Sequence, residues 1–304
     1  MTAAVTGATG YLGRFIVERL IGEGVAVRAW RRASSDVRGL PTAVEWIEGH
    51  LASPAAHAAL VEGADMLVHS ALDHVPGRYR RGEGEDLPHF LRINVGESLA
   101  LLAAARAAGV RRCVVISSRA VFGASASGPF TDSTPVQPDT NYGAAKAALE
   151  TFVRCWGSEG WPIAALRPTG VYGAVLPIAR SKWFDLIARA LNGEMVAARS
   201  GTEVHGRDVA ESVWRLLSVA PALVAGRMFN CSDIVVSTRD IVRLAHRTAG
   251  IKSALPDILP APTNIMECSG LGELGIVFGG WPLFEDTIVQ LTKAAAARTA
   301  PELA

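Results

Sequence analysis

The chain carries no surplus of either charge: 30 Lys and Arg stand against 29 Asp and Glu, a formal charge of +1 over 304 residues. Without a net field there is little to attract nucleic acid or an anionic membrane, so neither is expected as a partner. Cysteine is scarce. Cys113, Cys155, Cys231 and Cys268 lie at least 37 residues apart, without the spacing of a metal cluster or redox pair, and read as free thiols of a reducing compartment. His57, His74, His89 and His246 have no metal spacing, so no metal site is expected. No apolar run reaches the roughly 18 residues that a membrane helix needs. The first one, Ala3 to Val5, meets glycine at Gly7 and leaves no room for a secretory leader; the expectation is a cytoplasmic protein. Internal repeats and low-complexity linkers are also missing.

What is present is material for a large core. The chain is 49% hydrophobic and 19% charged, enough for one major domain with a smaller lobe attached. Residues 2 to 30 read as strand, turn, helix, strand. Gly7, Gly10 and Gly13 fall where the first strand gives way to the first helix. Absent side chains there let backbone approach a pyrophosphate, while the helix N-terminus offers N–H groups and a positive dipole. The end of the second strand bears on which dinucleotide would sit there. An acid there would take the ribose hydroxyl of NAD, but the chain has Arg31 and Arg32, followed by Ser34 and Ser35. Arginine forks suit the 2′-phosphate of NADP. The alternative is that both are merely solvated at a strand end.

The alternation continues: strand at 44–48, helix at 55–61, strand at 66–70, a polar loop at 73–89 with Pro76 and Gly77, helix at 90–108, strand at 112–117. Such a pattern argues a parallel, doubly wound sheet, whose ligands bind at the carboxyl ends of the strands. Ser117 and Ser118 fall at one such end. After a loop containing Gly123, Ser125 and Pro138 comes Asn141-Tyr142-Gly143-Ala144-Ala145-Lys146, which opens a helical run. Tyr142 and Lys146 share a helix face, so an ammonium can reach the space around a phenol. A cation about 4 Å from the phenol supplies roughly 4 kcal/mol, about three pKa units, enough for proton exchange near neutral pH.

Seven segments occur in an order that resembles the extended short-chain dehydrogenases/reductases, the group that includes the NAD-dependent epimerase/dehydratase family. They are Gly7-x-x-Gly10-x-x-Gly13, His69-Ser70-Ala71, Asn94, Ser117 to Gly123, Tyr142-x-x-x-Lys146, Arg167-Pro168-Thr169-Gly170-Val171-Tyr172-Gly173 and His205 to Ala210. Leu274-Gly275 and Trp281-Pro282 resemble the C-terminal segment of that family. The resemblance implies a Rossmann-type doubly wound parallel sheet with a smaller, mainly helical C-terminal substrate lobe. The dinucleotide domain would be 1–173, with 203–232 returning to it; 174–202 and 233–304 would form the lobe. It further implies a cofactor held by Gly7, Gly10, Tyr11, Leu12, Gly13, Arg31, Arg32, Leu51, Ser70, Ala71, Asn94, Lys146 and Pro168, with NADP favoured over NAD. Ser118 would hydrogen-bond the reacting oxygen, Tyr142 would pass its proton, and Lys146 would bind the nicotinamide ribose and lower the phenol's pKa. Ser117 competes for the serine role; Ser118 is chosen for its distance to Gly123. A homodimer through the helices at 90–108 and 142–153 is also implied, although Leu101, Leu102, Leu149 and Val153 serve an intramolecular sheet equally well.

Departures from the family pattern narrow the chemistry. Dehydratases carry Asp-Glu where this chain has Arg119 and Ala120. Sugar-nucleotide epimerases carry Asn at the Gly170 position and an arginine in the region of Ser200 to Glu203. Arg180 and Lys182 are either replacement charge or solvated helix residues, and His50 is an adenine-edge or surface residue. Val175, Leu176, Ile178, Trp183, Phe184 and Trp281 line an apolar pocket or form ordinary lobe core. The expected function is therefore NAD(P)-dependent hydride transfer between nicotinamide and a small-molecule alcohol or carbonyl, by an enzyme with a Ser-Tyr-Lys site. The alternatives are a nucleotide-sugar 4-epimerase with retained NAD and, in another class, a non-catalytic cofactor-sensing protein.

Overall fold

The computed structural model describes residues 1–75, 82–124 and 127–299; Pro76, Gly77, Ser125 and residues 300–304 lie outside the described residues. β1 (Thr2–Thr6) feeds the glycine turn and α1 (Tyr11–Gly22). The alternation continues through β2 (Ala26–Arg31), β3 (Glu45–Glu48), α2 (Pro54–Val61), β4 (Met66–His69), α3 (Leu87–Leu91), α4 (Ser98–Ala107), β5 (Arg112–Ile116), α5 (Asn141–Trp156) and β6 (Ile163–Pro168). After it come β7 (Gly170–Tyr172), α6 (Phe184–Leu191), β8 (Ser200–His205), α7 (Gly206–Ser218), β9 (Met228–Cys231), β10 (Ile234–Ser237), α8 (Thr238–Ala249), α9 (Ser269–Glu273) and α10 (Gly280–Thr299).

Seven strands form one parallel sheet in the order β3-β2-β1-β4-β5-β6-β9. Strands such as Ala3–Val5, Met66–Val68 and Cys113–Ile116 are buried on both faces, and their near-continuous apolar sequence follows from helices covering both sides. α1 and α7 pack together over one face, where Phe15, Ile16, Val213 and Leu217 meet the sheet. The other face is covered from α2, α4 and α5 by Leu60, Leu101, Leu149 and Val153. Those α4 and α5 side chains thus serve the chain's own core. The winding reverses between β1 and β4, opening a crevice at their carboxyl ends. This is the doubly wound, Rossmann-type sheet expected.

Two elements differ from expectation. The long helix at 90–108 is interrupted by a wider, π-helical turn over Arg92–Glu97. Asn94 Nδ2 donates to the Phe90 carbonyl at 3.0 Å and Ser98 Oγ to the Asn94 carbonyl at 2.8 Å, so side chains enter the backbone ladder there. The C-terminal part is helical, with α6, α8 and α10 around Tyr172, Phe184, Leu244, Phe284 and Ile288. Beside it lies a three-stranded sheet, β10-β8-β7, with β8 parallel to β7 and antiparallel to β10. Among the described residues, no helix is long and apolar enough to cross a membrane.

Candidate active site

The glycine turn is built by exclusion. Gly7 has φ +72°, and a Cβ on it would stand 2.8 Å from the Ser70 carbonyl carbon. A Cβ on Gly13 would run into the Gly7 carbonyl, while Gly10 N–H donates to that oxygen at 2.9 Å. Backbone lies bare at the head of α1, beside Ser70 and Ala71 across the crevice. This cradle suits a dinucleotide pyrophosphate. Thr6 Oγ1 accepts the N–H groups of Ser70 and Ala71, each at 3.1 Å. His69 bridges Thr6 Oγ1 (2.8 Å from Nδ1) and Ser98 Oγ (2.9 Å from Nε2). Ser98 donates its proton to Asn94 O, so Nε2 of His69 is assigned the hydrogen and Nδ1 accepts from Thr6. Burial, with the Lys146 charge second, lowers the His69 pKa to about 3, keeping it neutral.

The other expected cofactor residues fall around this crevice in different ways. Arg31 and Arg32 are exposed at the carboxyl end of β2, and a tight turn follows, with Ser35 Oγ accepting from Arg32 N–H at 3.0 Å. Leu51 is buried after β3, its carbonyl bonded to His57 Nε2 at 2.8 Å; His50 is exposed beside Ser53. Pro168 ends β6. Tyr11 latches the glycine turn to the lobe, donating to Gly173 O at 2.5 Å and accepting from Lys182 N–H at 3.1 Å, and Leu12 packs on the core below. Asn94 holds the loop after β4: Oδ1 accepts Asp73 N–H at 2.7 Å and Nδ2 donates to Asp73 O at 2.8 Å.

The two serines after β5 part company. Ser117 is 2% exposed and donates to Glu150 Oε1 at 2.5 Å. Ser118 is half-buried and caps the short turn Arg119–Phe122, Oγ accepting from Ala120 N–H at 3.1 Å. Tyr142 is the second residue of α5, whose start Thr140 caps through Gly143 N–H. A Cβ on Gly143 would strike the Ala120 carbonyl, so the turn carrying Ser118 and the start of α5 touch. One turn on, Lys146 is buried; its Nζ donates to Ile116 O at 2.8 Å and lies 6.0 Å from the Tyr142 ring centroid. Burial lowers the ammonium pKa to about 8 against the opposing pull of Glu150.

Glu150 and Arg167 form a buried two-pronged ion pair, 2.8 Å on each prong; Arg167 stands in a family-like segment without an expected role of its own, and Glu150 is not among the residues expected to matter. Arg167 also donates to Asp132 O at 3.1 Å and stands 4.9 Å over the Phe122 ring. Their signal in the sequence is a charge ending each of two apolar stretches, Ala147 to Leu149 and Ile163 to Leu166. α5 is therefore stapled twice to the end of β5, Lys146 to Ile116 and Glu150 to Ser117.

On the lobe side the charges satisfy one another. Lys182 pairs with Glu203, which is raised in pKa by burial, and a Cβ on Gly170 would stand 2.5 Å from the Glu203 carboxylate. Arg180 donates to Thr9 O at 3.0 Å and faces Asp36 at 3.7 Å. Lys182 is thus held by a carboxylate, while Arg180 stays exposed at the end of a short helical turn. Buried Arg14 donates to the carbonyls of Asp36, Arg38 and Leu176, tying the loop after β2 to the lobe. His205 stands edge-on to Phe15 and Tyr172, and burial lowers its pKa to about 4. Among the described residues no group of three or more His, Cys, Asp or Glu is placed to hold a metal ion.

The family model for the NAD dependent epimerase/dehydratase family matches residues 3–232. Sterol demethylase protein B of Methylococcus capsulatus is 34% identical over 177 residues, 57% of this chain and 52% of that protein, so the chain spans about half its length. The 4-hydroxy-2-methyl-3-oxo-4-farnesyl-3,4-dihydroquinoline-1-oxide ketoreductase of Stigmatella aurantiaca is 32% identical over 266 residues, 85% of this chain and 76% of that protein. In fold, UDP-glucose 4-epimerase of Thermotoga maritima, solved with UDP-glucose, superposes with a TM-score of 0.80 over 98% of this chain and 99% of that one, at 18% identity. The chain belongs to the NAD-dependent epimerase/dehydratase family.

Proposed function

We propose that this enzyme is an NADP-preferring oxidoreductase that interconverts an alcohol and a carbonyl on a small molecule, acting through Ser118, Tyr142 and Lys146 in the cytoplasm. The observation that carries the reading is the meeting of the turn that carries Ser118 with the start of α5, where the Tyr142 phenol and the Lys146 ammonium follow one another on one helix face. Gly7, Gly10, Gly13, Ser70 and Ala71 would hold the dinucleotide, with Arg31 and Arg32 on its 2′-phosphate. When bound, it supplies or accepts a hydride at its nicotinamide ring. Ser118 Oγ would donate to the substrate oxygen, where charge develops during reduction. Tyr142 would deliver the proton to that oxygen in reduction and take it back in oxidation, and the Lys146 charge favours the phenolate left behind.

Net redox chemistry is preferred to epimerisation because Gly170, Glu203 and Lys182 leave no unpaired charge for a diphosphate, and because the ketoreductase relative is matched over most of both chains. The fold match to an epimerase favours the second reading, a nucleotide-sugar 4-epimerase that keeps its NAD. In the first, residues 1–173 and 203–232 bind the dinucleotide, 174–202 and 233–304 form the substrate lobe, and two copies associate through α4 and α5. Light scattering that finds a monomer at micromolar concentration contradicts the dimer.

The test is NADPH and NADH oxidation, followed by absorbance over a panel of ketones and aldehydes. Turnover with NADPH is expected, and Arg31→Ala with Arg32→Ala should raise the KM for NADPH about tenfold or more while sparing NADH. Bound cofactor without turnover on any carbonyl or alcohol refutes the proposal. NAD that stays bound through purification, with epimerised product and no net oxidation, establishes the alternative.

A further inference from the structure

We infer that the carbonyl this enzyme reduces is carried on an apolar, uncharged molecule, and that the strap from Pro256 to Met266 is the wall that receives it. The inference rests on the hydride-transfer reading above for its chemistry but on separate observations for its substrate class.

The strap is anchored at two places far apart in the fold. At its start Arg239, in the first turn of α8, donates to Pro256 O at 2.7 Å. At its end Met266 is buried with Val121, Phe122 and Phe130, and Phe130 N–H donates to Ile265 O at 2.8 Å. Just before that end Arg119, the residue after Ser118, donates to Asn264 O at 3.3 Å, while Asn264 Nδ2 reaches Ala124 O at 3.4 Å. The segment therefore leaves the lobe at α8 and lands beside the serine proposed to hold the reacting oxygen. Between the anchors it exposes Ile258 (78%), Leu259 (40%) and Ile265 (41%). Pro260 and Pro262 stiffen it and supply no N–H to an anion. Its one charged side chain, Asp257, is exposed and repels phosphate. Three large apolar side chains held in water on a segment that ends beside Arg119 gain by covering an apolar ligand.

The neighbouring charges exclude a diphosphate. Lys182 is bound to Glu203, which also faces Arg199, and the Glu203 carboxylate occupies the space a side chain at Gly170 would need. Arg180 is engaged by Thr9 O and Asp36. Arg119 lies 5.8 Å from the Phe130 ring centroid and donates to Asn264 O. To bind a pyrophosphate, these cations would have to leave partners they already have, one of them a partly buried carboxylate.

The experiment measures binding apart from turnover. The protein with NADP⁺ bound, which cannot reduce a ketone, is titrated by calorimetry with trans-2-decalone and separately with UDP-glucose. Decalone is expected to bind and UDP-glucose to fail as a competitor. The double variant Ile258→Asp, Leu259→Asp should weaken decalone at least tenfold with NADP⁺ affinity unchanged, and Val277→Asp, exposed elsewhere, should change neither. Tighter binding of UDP-glucose, failure of decalone to bind, or a strap variant with undiminished decalone affinity each overturns the inference. Decalone that binds through the strap of a protein that turns over no carbonyl or alcohol of the panel supports it and refutes the hydride-transfer reading alone.

Discussion

Replacing Arg167 by Met isolates the buried ion pair that fixes the carboxyl end of β5. Arg167 is 1% exposed and Glu150 4%, and the guanidinium covers both carboxylate oxygens at 2.8 Å. Without it Glu150 keeps the Ser117 hydroxyl and the more distant charge of Lys146 but loses its paired hydrogen bonds, and removing one partner of a buried pair costs about 3–5 kcal/mol because the other charge stays out of water. Arg167→Met with Glu150→Leu removes both charges and fills the space with apolar atoms. What remains unmet is the Ser117 hydroxyl and one bond to Asp132 O, about 1 kcal/mol each, with a long 3.5 Å contact to Asn230 Oδ1 that adds little. The double variant should therefore lie about 1–2 kcal/mol below the wild type and the single about 3–5, so the second substitution should restore about 2–3 kcal/mol. Urea unfolding followed by tryptophan fluorescence measures all three. A single variant that loses less than about 1 kcal/mol, or a double variant no more stable than the single, refutes the reasoning. Since Ser118 follows Ser117 and Lys146 lies one turn before Glu150, kcat should fall in both variants even where stability recovers.

Other perturbations read the same structure by different routes. With its pKa lowered to about 8, Lys146 should give kcat/KM a basic limb near pH 8, absent in Lys146→Met; a profile flat to pH 9.5 contradicts it. The unfolded chain holds that proton up to about pH 10.4, so between pH 8 and 10 the wild type should gain stability relative to Lys146→Met as pH rises. Gly7→Ala adds a Cβ 2.8 Å from the Ser70 carbonyl carbon at φ +72°, and should weaken NADP⁺ binding at least tenfold by fluorescence titration. Asp208, raised to about 6 by burial while its Oδ2 accepts Gly279 N–H at 3.0 Å, binds a proton that the unfolded chain has released between about pH 4 and 6. Stability contributed by that proton falls as pH rises through the window and stays lost above it. Asp208→Asn keeps an acceptor without the charge, and its unfolding midpoint at pH 7.5 should be equal or higher, with a flatter pH profile.

What was legible in the sequence is what short stretches of backbone decide. Gly7, Gly10 and Gly13 announce their turn because it forbids side chains, and the partnership of Tyr142 with Lys146 follows from helical pitch alone. The parallel, doubly wound character of the sheet followed from the strand and helix alternation, since parallel strands need crossovers. Other features had only a weak local trace. Asn94 stood out as polar in an apolar helix, but its effect on the helix depends on Phe90 and Asp73. Ser117 and Ser118 are alike until Glu150, 33 residues further on, takes the first. The small sheet was invisible because β7 has three residues and β8 begins Ser-Gly-Thr-Glu, with neither length nor alternation to mark a strand.

Gly170 marks the boundary between what sequence carries and what only contacts carry. As a letter it is a missing side chain, from which one infers a lost contact and nothing more. In the fold the vacated space holds the Glu203 carboxylate, and Glu203 in turn holds Lys182. Restoring a side chain at 170 alone would place it on that carboxylate, breaking a partly buried ion pair before any new ligand contact formed. Gly170→Asn should therefore lose stability and gain no affinity for UDP-glucose, whereas Gly170→Asn with Glu203→Ala frees both the space and the Lys182 charge. If the single variant binds UDP-glucose as well as the double does, the carboxylate is not what closes the site to phosphate.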